Sequence, residues 1–454
     1  MMNLQESSIP DTLINNSSES SPAVPLVVDL DGTLIKTDLL MESAIRLLRR
    51  NLLFLFMLPI WLFKGKNILK AELAERTKID VAVLPYNGPF LAYLRMQHAE
   101  GRTLILATAS HISFARSIAD FLGIFSEVFA TDEAVNLEGR RKRDALVAAF
   151  GRKGFDYAGN SVADLAIWPD ARDAILVNPD RGVEKRARCV AQVQSIHWDR
   201  RPVLITVARA IRIHQWVKNF LIFIPLVAAH AWTDFQAIVN SVLAFAAFSL
   251  SASAIYLVND ALDLESDRGH PRKKNRPLAA GHLSLINATV LTIGLLALGL
   301  LMASMVGIYF LLALCAYIMT TSAYSYTLKE YVLIDVLTLA ALYTLRVIAG
   351  AVAIAVFPSF WLMAFSMFLF ASLALVKRCA ELESLSRESK LAAKGRDYRV
   401  SDLQQLTSLG TSAGIGAIVV LAFYINSSDV MQQYSRPQML WFLCPLFLYW
   451  IGRM

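Results

Sequence analysis

Asn259 to Gly281 reads NDALDLESDRGHPRKKNRPLAAG. It follows an apolar run, about residues 237–258, that reads as a membrane span. Asp260, Asp263 and Asp267 are spaced by three and four, so a continuing helix puts them on one face, bordered by Asn259. Five cations follow at once: Arg268, Arg272, Lys273, Lys274 and Arg276. Clustered carboxylates repel unless something positive binds between them. Oxygen-only ligands suit Mg²⁺, which is usually held by one or two carboxylates together with substrate phosphates. The cations behind are placed to take the rest of a polyphosphate. The stretch therefore reads as a Mg²⁺–diphosphate site at a membrane face. A solvated, positive cytoplasmic loop explains the cations, but not three spaced acids on a span that has just left the bilayer.

NDxxDxxxD followed by RPLAAG resembles the first Asp-rich motif of the UbiA superfamily of intramembrane prenyltransferases. The intervening HPxK, His270 to Lys273, is not what aromatic-acceptor members usually carry. It resembles the polyprenyl-phosphate phosphoribosyltransferase branch. The resemblance covers about Arg209 to Met454 and implies an all-α, multi-pass membrane domain. Asp260, Asp263 and Asp267 are then the catalytic, metal-holding acids, with Asn259, Lys273 and Arg276 binding substrate phosphate.

Outward from this stretch, two textures divide the 454 residues, of which 56% are hydrophobic. The mean hydropathy of +0.46 is too high for one soluble domain. The net charge of +7 does not report nucleic acid, because the cations concentrate in loops between spans. Cys189, Cys315, Cys379 and Cys444 are scattered and give neither metal spacing nor a disulfide framework. No signal peptide is read: residues 1–22 form a polar, Ser-rich tail expected to be disordered.

Pro25 to Asp38 reads PLVVDLDGTLIKTD: a short apolar strand ending at Asp29, then a tight turn at Gly32. DxDGT at a strand end resembles the first motif of the haloacid dehalogenase (HAD) phosphohydrolases. That resemblance implies Asp29 as nucleophile and Asp31 as general acid/base. One carboxylate can accept a phosphoryl group while a second protonates the leaving oxygen. By the same resemblance Thr108, ending the strand LILATAS, and Lys142 bind phosphate, while Asn160 and Asp164 of GNSVAD join Asp29 and Asp31 around Mg²⁺. Asn160 stands where the family normally has an acid, which removes one negative charge. A HAD-like α/β domain with a parallel sheet is expected over 23–201, with a helical cap at about 39–100. Within the cap, Leu52 to Phe63 is apolar, Pro-interrupted and flanked by Arg49, Arg50, Lys64 and Lys66. Two readings stand open for it: a helix pair packed inside the cap, or a segment lying in the bilayer interface.

The membrane half, 202–454, shows eight apolar runs, at about 213–230, 237–258, 284–304, 307–323, 332–356, 359–376, 407–427 and 438–452. The loops after the second, fourth and sixth carry Lys329, Lys377, Arg378, Arg387, Lys390, Lys394, Arg396 and Arg399 besides the cations already named. The opposite loops hold little beyond Arg436. That asymmetry places the basic loops and the HAD-like domain in the cytoplasm of a bacterial inner membrane protein. The superfamily normally has nine spans, so a ninth is read as missing after Met454. Tyr324, Tyr326, Lys329, Glu330 and Asp335 form a second polar cluster, and YxxLK with Asp335 resembles the second motif of the phosphoribosyltransferase branch. Tyr326, Lys329 and Asp335 are its substrate-binding candidates. Arg346 lies well inside a span, either in an ion pair with an intramembrane acid or on substrate phosphate. VKRCAEL, at Lys377 and Arg378, resembles the same branch and implies that both reach phosphate.

The expected enzyme transfers 5-phosphoribosyl from phosphoribosyl diphosphate to a polyprenyl phosphate with Mg²⁺, and its HAD domain dephosphorylates the product. Two alternatives stand beside it. One moves a polyprenyl group from its diphosphate to an aromatic acceptor. The other is an inactive membrane scaffold, degenerate in both halves. The partners are lipid and small-molecule substrates, not nucleic acid, with a homo-oligomer left open.

Overall fold

Leu26–Val28 (β1) is an apolar strand without exposed surface on either face, as expected of a strand buried in the middle of a parallel sheet. In the computed structural model, which describes residues 24–133, 135–387, 397–427, 430 and 436–453, β1 is the pivot of a six-stranded sheet. The other strands are β2 (Leu104–His111), β3 (Glu127–Thr131), β4 (Asp156–Gly159), β5 (Ala174–Val177) and β6 (Val193–His197), in the order β3-β2-β1-β4-β5-β6. Every pairing is parallel, as the HAD-like α/β fold requires. Val28 lies opposite Leu106 of β2 and Ala158 of β4. The strand order reverses at β1, and ligands in such sheets bind outside the carboxyl ends at that point. The polar tail over 1–22 and the cations Lys390, Lys394 and Arg396 lie outside the described residues.

The helical insertion expected over 39–100 divides in two. Helices Leu39–Arg50, Phe54–Lys64 and Lys66–Arg76 form their own small core around Leu47, Trp61, Leu69 and Leu73. Lys70, from the third of them, donates to Ala109 O at the end of β2 and to Asn136 Oδ1, both at 2.7 Å. Helix Gly88–Ala99 instead buries Phe90 and Leu94 against the sheet. The apolar segment at 52–63 satisfies its inward face only. Trp61 is buried and Phe54 and Leu58 pack beside it, while most of its other large side chains are exposed.

The chain divides after Arg200 into two units. In the second, six helices among the described residues are long and apolar enough to cross a membrane: Phe235–Leu262, Leu285–Val306, Ile308–Tyr326, Ile334–Ala353, Phe360–Arg387 and Val400–Ile425. The remaining two of the eight apolar runs are shorter. The first becomes a 3₁₀ helix, Ile213–Phe223, that passes into an α-helix, Ile224–Ala228. The last gives a 3₁₀ turn, Pro437–Phe442, and helix Leu443–Arg453. Small residues govern the packing, as they do where apolar surface meets lipid. Ser249, Ser251 and Ser253 of helix Phe235–Leu262 are fully buried. A Cβ on Gly350 would lie 2.1 Å from the carbonyl oxygen of Ile222, so only glycine lets helix Ile334–Ala353 approach the Ile213–Ala228 segment this closely. That approach also brings Asn219 to Arg346.

Candidate functional site

In the N-terminal unit the motifs converge on the carboxyl ends of β1, β2 and β4. Asp29 follows β1 and its amide donates to Ala158 O of β4 at 3.0 Å. Gly32 takes a left-handed φ of +77°, and a Cβ there would sit 2.4 Å from the Asn160 amide nitrogen. Glycine thus allows both the turn and the contact between the first and fourth motifs.

Lys142 Nζ lies 2.6 Å from Asp29 Oδ1 and donates to the Tyr157 hydroxyl at 3.1 Å. Tyr157 in turn donates to Asp164 Oδ1 at 2.8 Å. Asp164 Oδ2 accepts from the amides of Asn160 and Ser161 and from Ser161 Oγ. Thr33 Oγ1 donates to Asn160 Oδ1 at 3.2 Å. Asp31 accepts from Leu39 N at 2.9 Å, from Ser110 Oγ at 2.6 Å and from Thr108 Oγ1 at 3.3 Å. Thr108, expected to bind phosphate directly, is fully buried and turned onto Asp31. Ser110 and Tyr157 belong to the same network, although sequence reasoning passed over both.

Three carboxylates meet one lysine here. Burial pushes the Asp29 carboxyl up to about 7; Lys142 opposes this, and Asp164 and Asp31 add to it. Asp31 is pushed up to about 6, by burial first and then by Asp38, against its bonds to Ser110 and Leu39. Burial alone lowers the Lys142 ammonium, but Asp29 and Asp164 outweigh it and hold its pKa above the ordinary value. An oxygen-lined cleft with surplus negative charge fits a hard divalent cation.

In the membrane unit the Asp-rich helix departs from the expected single face. Helix Phe235–Leu262 ends before Asp263, and a short helix, Leu264–Arg268, carries Asp267. Helical hydrogen bonds nevertheless run through the break, Asp263 N to Asn259 O at 2.9 Å and Asp267 N to Asp263 O at 2.8 Å. Asp260 and Asp267 stay close enough to share one guanidinium. Arg276 Nη1 lies 3.1 Å from Asp260 Oδ1 and 2.5 Å from Asp267 Oδ2. Arg212 also pairs with Asp260, from a left-handed backbone at φ +53° and with its guanidinium 5.0 Å over the Tyr256 ring. Lys273 stands 3.9 Å from Asp267 Oδ1, a buried atom that receives no hydrogen bond from the described residues. Oxygen donors, one of them unused, fit Mg²⁺ here too. Asn259 donates to Ser325 Oγ at 3.0 Å and so ties this motif to helix Ile308–Tyr326. Arg268, counted among the polyphosphate cations, is buried and donates to Ala279 O, so it braces the loop from inside.

The second cluster separates. Asp335 is fully buried, and Arg378 nearly so. Arg378 Nε sits 2.6 Å from Asp335 Oδ2, and Nη2 donates to Oδ1 at 3.3 Å. The closer of these is an ion pair without hydrogen-bond alignment. Tyr324 OH also donates to Asp335 at 2.8 Å, and Glu381 pairs with Arg378. Arg378 was expected on phosphate beside Lys377. The structure spends it on Asp335, because an unpaired buried carboxylate is the costlier alternative. Tyr326 and Lys377 are exposed and Lys329 half-buried.

Arg346 has no carboxylate partner among the described residues, so the intramembrane ion pair considered for it is not found there. Nε donates to Asn219 Oδ1 at 2.9 Å, Nη1 to Leu342 O at 2.7 Å and Nη2 to Tyr317 OH at 3.0 Å. Its guanidinium lies over the rings of Tyr317 and Tyr343, at 4.8 and 5.3 Å. Asn219 is itself held by Ser249. Half-buried Lys218 has Lys377, Arg346 and Arg212 as electrostatic neighbours and makes no ion pair among the described residues. Of these neighbours Arg212 pairs with Asp260. Sequence reasoning missed Arg212, Lys218 and Asn219. Polar residues interrupting an apolar run, as QWVKN at 215–219 does, were the available signal. An apolar cavity of about 760 Å³, lined by Phe223, Pro225, Val356, Phe357 and Trp361, opens at the far end of helix Ile334–Ala353 from Asp335 and meets no charged group.

The UbiA prenyltransferase family model matches residues 220–391. Over 93% of its length the chain is 36% identical to the uncharacterized protein y4nM of Sinorhizobium fredii, covering 82% of that protein. It is 35% identical to decaprenyl-phosphate phosphoribosyltransferase of Mycobacterium tuberculosis, over 48% of this chain and 74% of that one. A solved UbiA homolog from Archaeoglobus fulgidus, bound to GPP and Mg²⁺, is 18% identical with a TM-score of 0.43, covering 54% of this chain and 84% of its own.

Proposed function

This chain belongs to the UbiA prenyltransferase family, and from that premise we propose that its membrane half transfers 5-phosphoribosyl from 5-phosphoribosyl diphosphate to a polyprenyl phosphate. The observation that carries the reading is the cation cluster of Arg212, Lys218, Arg346 and Lys377, with Arg346 buried among neutral partners. A buried cation without a counter-ion is expensive. Two phosphorylated substrates offset that cost, one of them a diphosphate. The likeness to decaprenyl-phosphate phosphoribosyltransferase names a matching substrate class.

In this reading a phosphate oxygen of the lipid attacks the anomeric carbon, the bond from that carbon to the diphosphate oxygen breaks, and diphosphate leaves with the electron pair. Arg276, released from Asp260 and Asp267, takes up charge on the departing diphosphate with Lys273. Arg346 and Lys218 hold the other phosphate in place. Mg²⁺ held by Asp260, Asp263 and Asp267 would supply neutralisation of the diphosphate oxygens.

The N-terminal unit is assigned the next step, removal of the 5-phosphate from the ribosyl lipid. Asp29 forms the new bond to phosphorus, Asp31 protonates the departing sugar oxygen, and water then releases phosphate from Asp29. Lys142 fixes Asp29, and Asp29, Asp31, Asn160 and Asp164 are the residues that would hold Mg²⁺. In this reading the unit faces the cytoplasm of a bacterial inner membrane.

The test is Mg²⁺-dependent diphosphate release by the full chain in lipid nanodiscs. Turnover of phosphoribosyl diphosphate with polyprenyl phosphate, lost in Asp263→Ala, supports the reading. Turnover only of polyprenyl diphosphate with 4-hydroxybenzoate moves the protein to aromatic prenyl transfer.

A further inference from the structure

The helix Phe54–Lys64, FLFMLPIWLFK, is apolar all round yet belongs to the α/β unit. Only Trp61 is buried, wedged against Leu47, Leu69 and Leu73 with the Arg76 guanidinium 5.2 Å over its ring. The outer face is left bare: Leu53 is 67% exposed, Phe56 71% and Phe63 92%, with Leu55, Ile60 and Leu62 about half exposed. Isolated apolar side chains on a surface need no explanation, but a contiguous patch of this kind marks an interaction site. Arg49 and Arg50 close the helix before it, Lys64 ends it and Lys66 opens the next. From 49 to 66 the chain carries these four cations and no carboxylate.

We propose that this face is a bilayer-docking surface that inserts into the interfacial layer of an anionic leaflet. Three observations choose lipid over a protein partner. The helix has eleven residues, about 16 Å, and an internal proline, so it is roughly half the length needed to span. Its apolar face is bracketed by cations at both ends, the arrangement that sets apolar side chains below headgroups and basic ones among phosphates. The same chain carries six membrane-length helices, so a bilayer is always within tether distance. Trp61 and Lys70 fasten the patch to its own unit, so docking loads the helical insertion that Lys70 ties to Ala109 O of β2. The surface is independent of whether that cleft hydrolyses phosphate.

The experiment is photo-crosslinking of the full chain in nanodiscs. Phe63→p-benzoylphenylalanine is compared with the same replacement at Phe121, an exposed ring elsewhere in the unit. In membranes with about one third phosphatidylglycerol, lipid adducts are expected at 63 and not at 121. Their yield should fall several-fold in pure phosphatidylcholine, or when Arg50 and Lys64 are both changed to Gln. A crosslink from 63 to a second copy of the chain, equal lipid labelling at both positions, or no adduct at 63 overturns the proposal. Position 63 is almost wholly exposed, so the replacement leaves the fold untouched.

Discussion

Arg346 donates to Asn219 across 2.9 Å and meets neutral groups on its other sides, so its charge is held in place without being neutralised. Arg346→Gln should therefore cost function more than fold. Phosphoribosyl diphosphate turnover is expected to fall on the order of 10²-fold. The melting temperature should hardly move, because removing an uncompensated buried charge offsets the lost hydrogen bonds. Kinetics and thermal melts on the same nanodisc sample check both halves. A collapsed melt with normal kinetic constants on the surviving protein would return Arg346 to a structural role.

Asp335 and Arg378 invert that expectation. Asp335→Leu strands a buried guanidinium and should destabilise the membrane unit by about 3–5 kcal/mol. Adding Arg378→Met to it should recover most of the loss, since a matched apolar pair replaces the ion pair. Melting of the two single variants and the double variant reads the coupling directly. Additive losses would mean that the pair is not the unit of stability.

The raised carboxyls of Asp29, at about 7, and Asp31, at about 6, make the stability of the N-terminal unit depend on pH. Between pH 4 and 7 the folded state keeps protons that the unfolded chain has already lost. Stability is then greatest below the unfolded value near 3.8, declines as pH rises through the folded values, and levels off above about 7. Hydrogen exchange of β1 and β4 in the full chain, followed across this range, should show the decline. Asp29→Asn should flatten it. Mg²⁺ at pH 8 should raise protection in the wild type and much less in Asp29→Asn.

Asp29→Asn should also separate the two proposed activities. Diphosphate release is expected to continue while the ribosyl lipid retains its 5-phosphate, which lipid mass spectrometry detects. Unchanged product composition would remove the phosphatase step.

The fold was legible wherever a single period or a single motif ruled. The apolar triplet of β1 and the DxDGT turn marked the centre of the sheet, since a strand buried on both faces has one reading. The six long spans followed from length and hydropathy. The eighteen-residue run at 213–230 misled, because its mean hydropathy hides the polar QWVKN interruption and the change from a 3₁₀ helix to an α-helix that begins beside Pro225. The one-face reading of Asp260, Asp263 and Asp267 assumed an unbroken helix, and the chain turns at Asp263. Partner choice was least legible. Whether Arg378 meets phosphate or Asp335, and whether Arg268 points outward or at Ala279, depends on contacts between segments far apart in sequence, which spacing alone does not encode.

In the six-stranded sheet all four motif segments open on the carboxyl edge, so the amino edge carries none of them. The exposed Glu100–Gly101 turn leads into β2 from that side. A rigid fiducial for electron microscopy, or a fluorescent protein, grafted at this turn would add mass to the N-terminal unit while leaving the cleft clear.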